Sequence, residues 1–101
     1  MTEIFIKRND TKPPVTATLA EDGVAVDLST ASVMFNMGTV VAATATVVDG
    51  TAGTVKYDWI SGDTAIAGCY PAEFEVTFAD ASIQTFPNDE NLIVIITKDV
   101  A

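Results

Sequence analysis

The stretch GCYPAEFEVTF, residues 68–78, decides the fold. Tyr70, Ala72, Phe74, Val76 and Phe78 share one parity, and Glu73, Glu75 and Thr77 share the other. Period-two alternation marks a half-buried strand. The aromatic parity is therefore expected to enter a core and the glutamates to face water. Pro71 cannot donate to a ladder, which places it at the start of the strand or on an unpaired side. Tyr70 stands two residues after a glycine and opens the longest alternating run in the chain. That placement suits a tyrosine corner, whose hydroxyl reaches back to backbone a few residues upstream. An ordinary buried tyrosine fits equally well, and both readings are structural. Cys69, on the opposite parity, reads as a small, half-buried strand residue.

Similar alternation surrounds this stretch. Upstream, TVKYDW puts Val55, Tyr57 and Trp59 on one face, with Lys56 and Asp58 opposite. A strand with an inward Trp suits the core of a sandwich. ASVMFNM alternates Val33, Phe35 and Met37 against Met34 and Asn36, and VTATLA alternates Val15, Ala17 and Leu19 against threonines. EIFIKR is a short first strand with Ile4 and Ile6 on one side, interrupted by the prolines of NDTKPP. EDG (21–23) and Asp49-Gly50 are turn signals. SGDTAIAG (61–68) is the best helical fragment, a single turn capped by Ser61 or Asp63 and ended by Gly68. Downstream, IQTF is expected to return as a hairpin, and PNDEN breaks the chain before LIVIIT. Leu92 to Ile96 is apolar at every position. Such a run implies burial on both faces, by the chain's own loops or by another protein. Leu92, Val94 and Ile96 are therefore candidate contact residues. About seven to nine short strands separated by turns predict an all-β fold, an immunoglobulin-like antiparallel β-sandwich formed by one domain over residues 1–101.

Composition narrows the function. The 101 residues suffice for one core. Fourteen acidic residues against five basic ones give a formal charge of −9. That balance opposes nucleic-acid binding, which needs clustered Lys and Arg to displace counterions. The one basic cluster, Lys7, Arg8 and Lys12, is a second candidate docking surface. No apolar run is long enough for a membrane span, and MTEIFIKRND lacks the apolar core of a signal peptide. Synthesis in a cytoplasm and a soluble product are expected.

Catalytic equipment is sparse. With no His and one Cys, the usual base for a nucleophile and the usual zinc ligands are missing, and no intrachain disulfide can form. The six glycines are scattered singly, without a phosphate-binding loop. Asp58 with Asp63, and Asp89 with Glu90, are carboxylate pairs that could hold calcium, but their spacing is unlike an EF-hand and suits solvated turns. No enzyme activity, cofactor or metal site is expected.

Several of these stretches together resemble a known family. FIKRNDTKPPVTATL, VDLSTASVMFNM and GTVKYDWISGDTAIAGCYPAEFEVTFADASIQTFPND are similar to the N-terminal domain of baseplate upper proteins from tailed bacteriophages. The resemblance is carried by Lys7 to Thr11, Val26 to Ala31, Val55 to Trp59, Asp63 to Tyr70, Glu73 to Phe78, and Phe86-Pro87. It implies an immunoglobulin-like virion building block, made in the host cytoplasm and present in several copies per particle. Its partners would be other virion proteins of the tail or baseplate. With no stalk or receptor-binding domain following the module, capsid decoration or a head or neck accessory is the alternative. A carbohydrate-binding or host-adhesion module is the alternative from another class. It would need a cluster of solvent-facing aromatics, whereas the alternation assigns Tyr57, Trp59, Tyr70, Phe74 and Phe78 to the core.

Overall fold

The computed structural model describes residues 2–87 and 92–98. Its strands are β1 (Thr2–Lys7), β2 (Val15–Thr18), β3 (Ala20–Glu21), β4 (Val24–Ala25), β5 (Ser32–Met37), β6 (Val41–Thr44), β7 (Thr46–Asp49), β8 (Thr54–Tyr57), β9 (Gly68–Thr77), β10 (Ile83–Phe86) and β11 (Leu92–Thr97). A large sheet runs β1-β11-β9-β5-β6, with β10 also paired to β9. A small sheet runs β2-β8-β7, and β3-β4 is a separate two-residue ladder. The fold is a β-sandwich, as the alternation predicts.

The decisive stretch becomes β9, ten residues long and the spine of the large sheet. Its Gly68–Ala72 half pairs with β11, and β5 lies along Ala72–Thr77. On the side opposite β5, β10 continues where β11 stops, pairing with Phe74–Thr77 as the expected hairpin. Ala72, Phe74 and Val76 are buried, and Glu73 and Glu75 lie on the other face.

Phe35 is the centre of the aromatic core. It stacks on Tyr57 of the facing sheet at 4.8 Å and 19°, and packs on Phe74 at 5.1 Å. Trp59 meets both Phe35 and Tyr57 edge-on, at 6.0 and 5.6 Å. Offset and edge-to-face contacts of this kind match ring-edge hydrogens with ring faces and add to the gain from burial. The Trp59 indole N–H donates to the Pro13 carbonyl at 3.1 Å, so its one polar atom is satisfied. Val55, Val33, Met37 and Val94 complete the centre.

Four features differ from the sequence-based expectation. First, the described residues form eleven strands rather than seven to nine. VVAATATVV divides at buried Ala45, whose N–H donates to the Val33 carbonyl, and the chain passes from β6 in the large sheet to β7 in the small one. Second, the sandwich is not wholly antiparallel, because β1 pairs with β11 in parallel. Third, SGDTAIAG forms turns without a helix. Asp63 accepts the Ile60 N–H at 2.9 Å, closing a turn with residues before it rather than capping residues after it. Fourth, Phe78 is half-buried rather than core. It lies one residue past β9, where its N–H donates to the Ser82 carbonyl in the turn to β10.

The EDG signal is a two-residue hairpin. Asp22 and Gly23 both have positive φ, 51° and 79°, as a primed turn between twisted strands requires. Gly53 is needed for a different reason. Its φ is +70°, and a Cβ there would stand 2.6 Å from the Leu19 carbonyl oxygen.

Candidate functional site

The apolar last strand is explained by its position. β11 is an interior strand, with β1 on one side and β9 on the other. Its ladder groups are therefore occupied on both sides, and it cannot accept an added strand. Leu92, Val94 and Ile96 point into the sandwich, with Val94 wholly inaccessible. This corrects their assignment as contact residues: the parity chosen for the surface is the core parity. Ile93 and Ile95, half-buried, occupy the outer face.

Register assembles that outer face. One row runs Phe5–Ile95–Cys69 across β1, β11 and β9, and the next runs Glu3–Ile93–Pro71. Phe5 is 62% exposed, and Pro71 and Cys69 are exposed beside it. Cys69 is thus a surface thiol rather than half-buried, because its parity faces away from the core. The result is an apolar patch at one corner of the large sheet. Phe5 could have been found from the sequence, since placing Ile4 and Ile6 inward forces Phe5 outward.

The basic residues take different positions. Lys7 ends β1 and shares the outer parity of Glu3 and Phe5. Arg8 is half-buried, and its N–H donates to the Thr97 carbonyl, continuing the β1–β11 ladder. Lys12 is exposed on the following loop, beside the groove of Pro13 and Trp59. That loop is tied down by buried Thr64, whose hydroxyl donates to the Asp10 carbonyl at 2.8 Å.

Tyr70 forms the corner that its position allows. Its hydroxyl donates to the Ile66 carbonyl at 2.7 Å, and its half-buried ring packs on the core. Tyr57 donates to an Asp63 carboxylate oxygen. Burial, reinforced by that carboxylate, raises the Tyr57 phenol well above its ordinary value. The Asp58–Asp63 pair is divided between structural partners: Asp63 serves Tyr57 and Ile60, and Asp58 lies 3.4 Å from Lys56. Asp89 and Glu90 lie outside the described residues. Among the described residues no group of three or more Cys, Asp or Glu side chains is gathered as a metal site would require.

A groove of about 380 Å³ opens between the sheet edges β1 and β2. Ile4, Val15, Leu19, Phe74, Phe86 and Leu92 line it, together with Thr2, Thr16 and Thr18. None of its described lining residues is titratable, so they offer no acid or base to a reacting group.

No family model matches the chain, and no curated protein matches it. Among solved structures, CopC from Methylosinus trichosporium OB3b is similar, with a TM-score of 0.57 and 14% identity over 100% of this chain and 89% of that one. At that identity the likeness is one of fold, and the fold the two chains share is the β-sandwich.

Proposed function

We propose that this protein is a non-enzymatic structural module of a tailed-phage particle, joining tail or baseplate components by protein–protein contacts. The observation that carries the reading is the apolar corner formed by Phe5, Ile93, Ile95 and Pro71 on the outer face of the large sheet. Exposed apolar surface of this kind is stabilised when another protein covers it. The motif resemblance supplies the particle, and its residues lie on the frame of the sandwich: Val55 to Tyr57 in β8 with Trp59 just beyond, and Glu73 to Thr77 in β9. Capsid decoration or a head or neck position uses the same contacts and is the alternative placement. The glycan reading has less support. Among the described residues Phe5 is the one strongly exposed ring, and a single ring does not make a sugar-stacking platform.

Mass spectrometry of gradient-purified particles tests the proposal. The chain should be present at a fixed ratio to the major tail or capsid proteins. Abundance in the lysate with absence from the particles would overturn it.

A further inference from the structure

The outer margin of β1 is built differently from the other sheet margins. β2 is preceded by Pro13 and Pro14, β7 carries a register shift between Val47 and Asp49, β6 and β10 are four residues long, and β3 and β4 are two. Prolines, bulges and shortness are devices that prevent edge pairing. β1 has six residues, with no Pro, Gly or register shift, and among the described residues it pairs on one side alone.

Backbone direction shows what this margin offers. The Arg8 N–H reaches the Thr97 carbonyl, so the even-numbered residues of β1 direct their backbone groups toward β11. Alternate residues of a strand direct N–H and C=O to opposite sides. Glu3, Phe5 and Lys7 therefore present theirs at the open margin, with the Lys7 carbonyl also accepting the Asp10 N–H in the following turn. The same three side chains occupy the outer face.

We propose that β1 pairs antiparallel with β1 of a second copy, on a two-fold axis through Phe5. In this register Phe5 lies opposite Phe5 of the other copy, and Glu3 lies opposite Lys7 twice. The margin is thus complementary to itself in charge, in aromatic contact and in backbone hydrogen bonding. Opposite charges and aromatic pairs directly across a ladder are both favourable. Among the described residues neither Glu3 nor Lys7 forms a salt bridge within the chain. A closed two-fold contact of this kind joins two copies and then stops. The contact is small and each chain carries a charge of −9, so association is weak and needs protein at about 0.1–1 mM with physiological salt to screen distant charges. The inference is independent of the phage reading, and either can fail alone.

Two measurements test it together. Sedimentation equilibrium compares the wild type with Glu3→Lys, Lys7→Glu, the double exchange, and Phe5→Pro, which removes a margin N–H without touching the β11 ladder. Each single charge change places like charges opposite one another and should weaken self-association about tenfold or more. The double exchange should restore it, and an equimolar mixture of the two single variants should form a heterodimer. Phe5→Pro should be monomeric, with circular dichroism establishing that each variant is folded. The second measurement uses the single cysteine. A spin label on exposed Cys69 gives one label per chain, so any dipolar distance is intermolecular. The row from Cys69 through Phe5 to the second copy's Cys69 spans five strand spacings, about 24 Å. A wild-type monomer at 1 mM, a dimer indifferent to the charge changes, or a distance far from that value would each overturn the proposal.

Discussion

The two faces of the large sheet carry apolar residues for different reasons, and β11 displays both. Its inner residues, Leu92, Val94 and Ile96, join Phe35, Phe74 and Val76 in a core closed by the small sheet. Its outer residues, Ile93 and Ile95, meet Phe5, Cys69 and Pro71 with no second layer of this chain described over them. An apolar run in a strand thus combines two messages. One parity specifies the fold, and the other specifies a surface that is stabilised by being covered. Which parity does which follows from the neighbouring strands rather than from the run itself.

The largest expected effect separates the faces outright. Phe74→Ala removes a ring that packs on Phe35 at the centre of the core, and should cost about 3–5 kcal/mol in urea unfolding. A loss below about 1 kcal/mol would mean that the inner face is not closed. Tyr70→Phe deletes the hydroxyl bound to the Ile66 carbonyl and should cost about 0.5–1.5 kcal/mol, visible as a lowered thermal midpoint. Alkaline titration sharpens the picture of the inner face. The Tyr57 phenol is raised in the folded state by burial and by Asp63, so the folded chain holds that proton more tightly than the unfolded chain. The stability it contributes is fully present below pH about 10 and is lost as pH rises through the folded value. Tyr57→Phe should remove that part of the alkaline slope in urea midpoints measured against pH. The smallest effect belongs to the outer face. Ile95→Thr should change monomer stability by less than about 1 kcal/mol while reducing the apolar area available to a partner. A larger loss in dilute solution would make Ile95 part of the core.

How much of this was legible in the sequence follows from the range of each interaction. The β9 parity, the inward Trp59, the β9–β10 hairpin, the Asp22-Gly23 turn and the Tyr70 corner depend on residues within a few positions of one another, and the sequence contains them. The parallel β1–β11 pairing joins residues about ninety positions apart, and no local pattern encodes such a partner. The passage from β6 to β7 was hidden because VVAATATVV is uniformly small and β-branched, so nothing marks Ala45 as the crossing point. The sequence expectation puts the contact residues on the wrong parity for the same reason: LIVIIT is apolar over its first five residues and cannot reveal which alternate residues face inward. Once β1 and β9 fix the register, Phe5, Ile93 and Ile95 replace Leu92, Val94 and Ile96 as the surface residues.

The central claim is that β1 is docked on β11 by one margin and open at the other. Amide hydrogen exchange in dilute solution, resolved by residue with NMR, tests it most directly. Ile4, Ile6 and Arg8 should be protected through their bonds to β11, while Phe5 and Lys7 exchange rapidly. Equal protection of Phe5 and Ile6 in the monomer, or rapid exchange of all five, would contradict it.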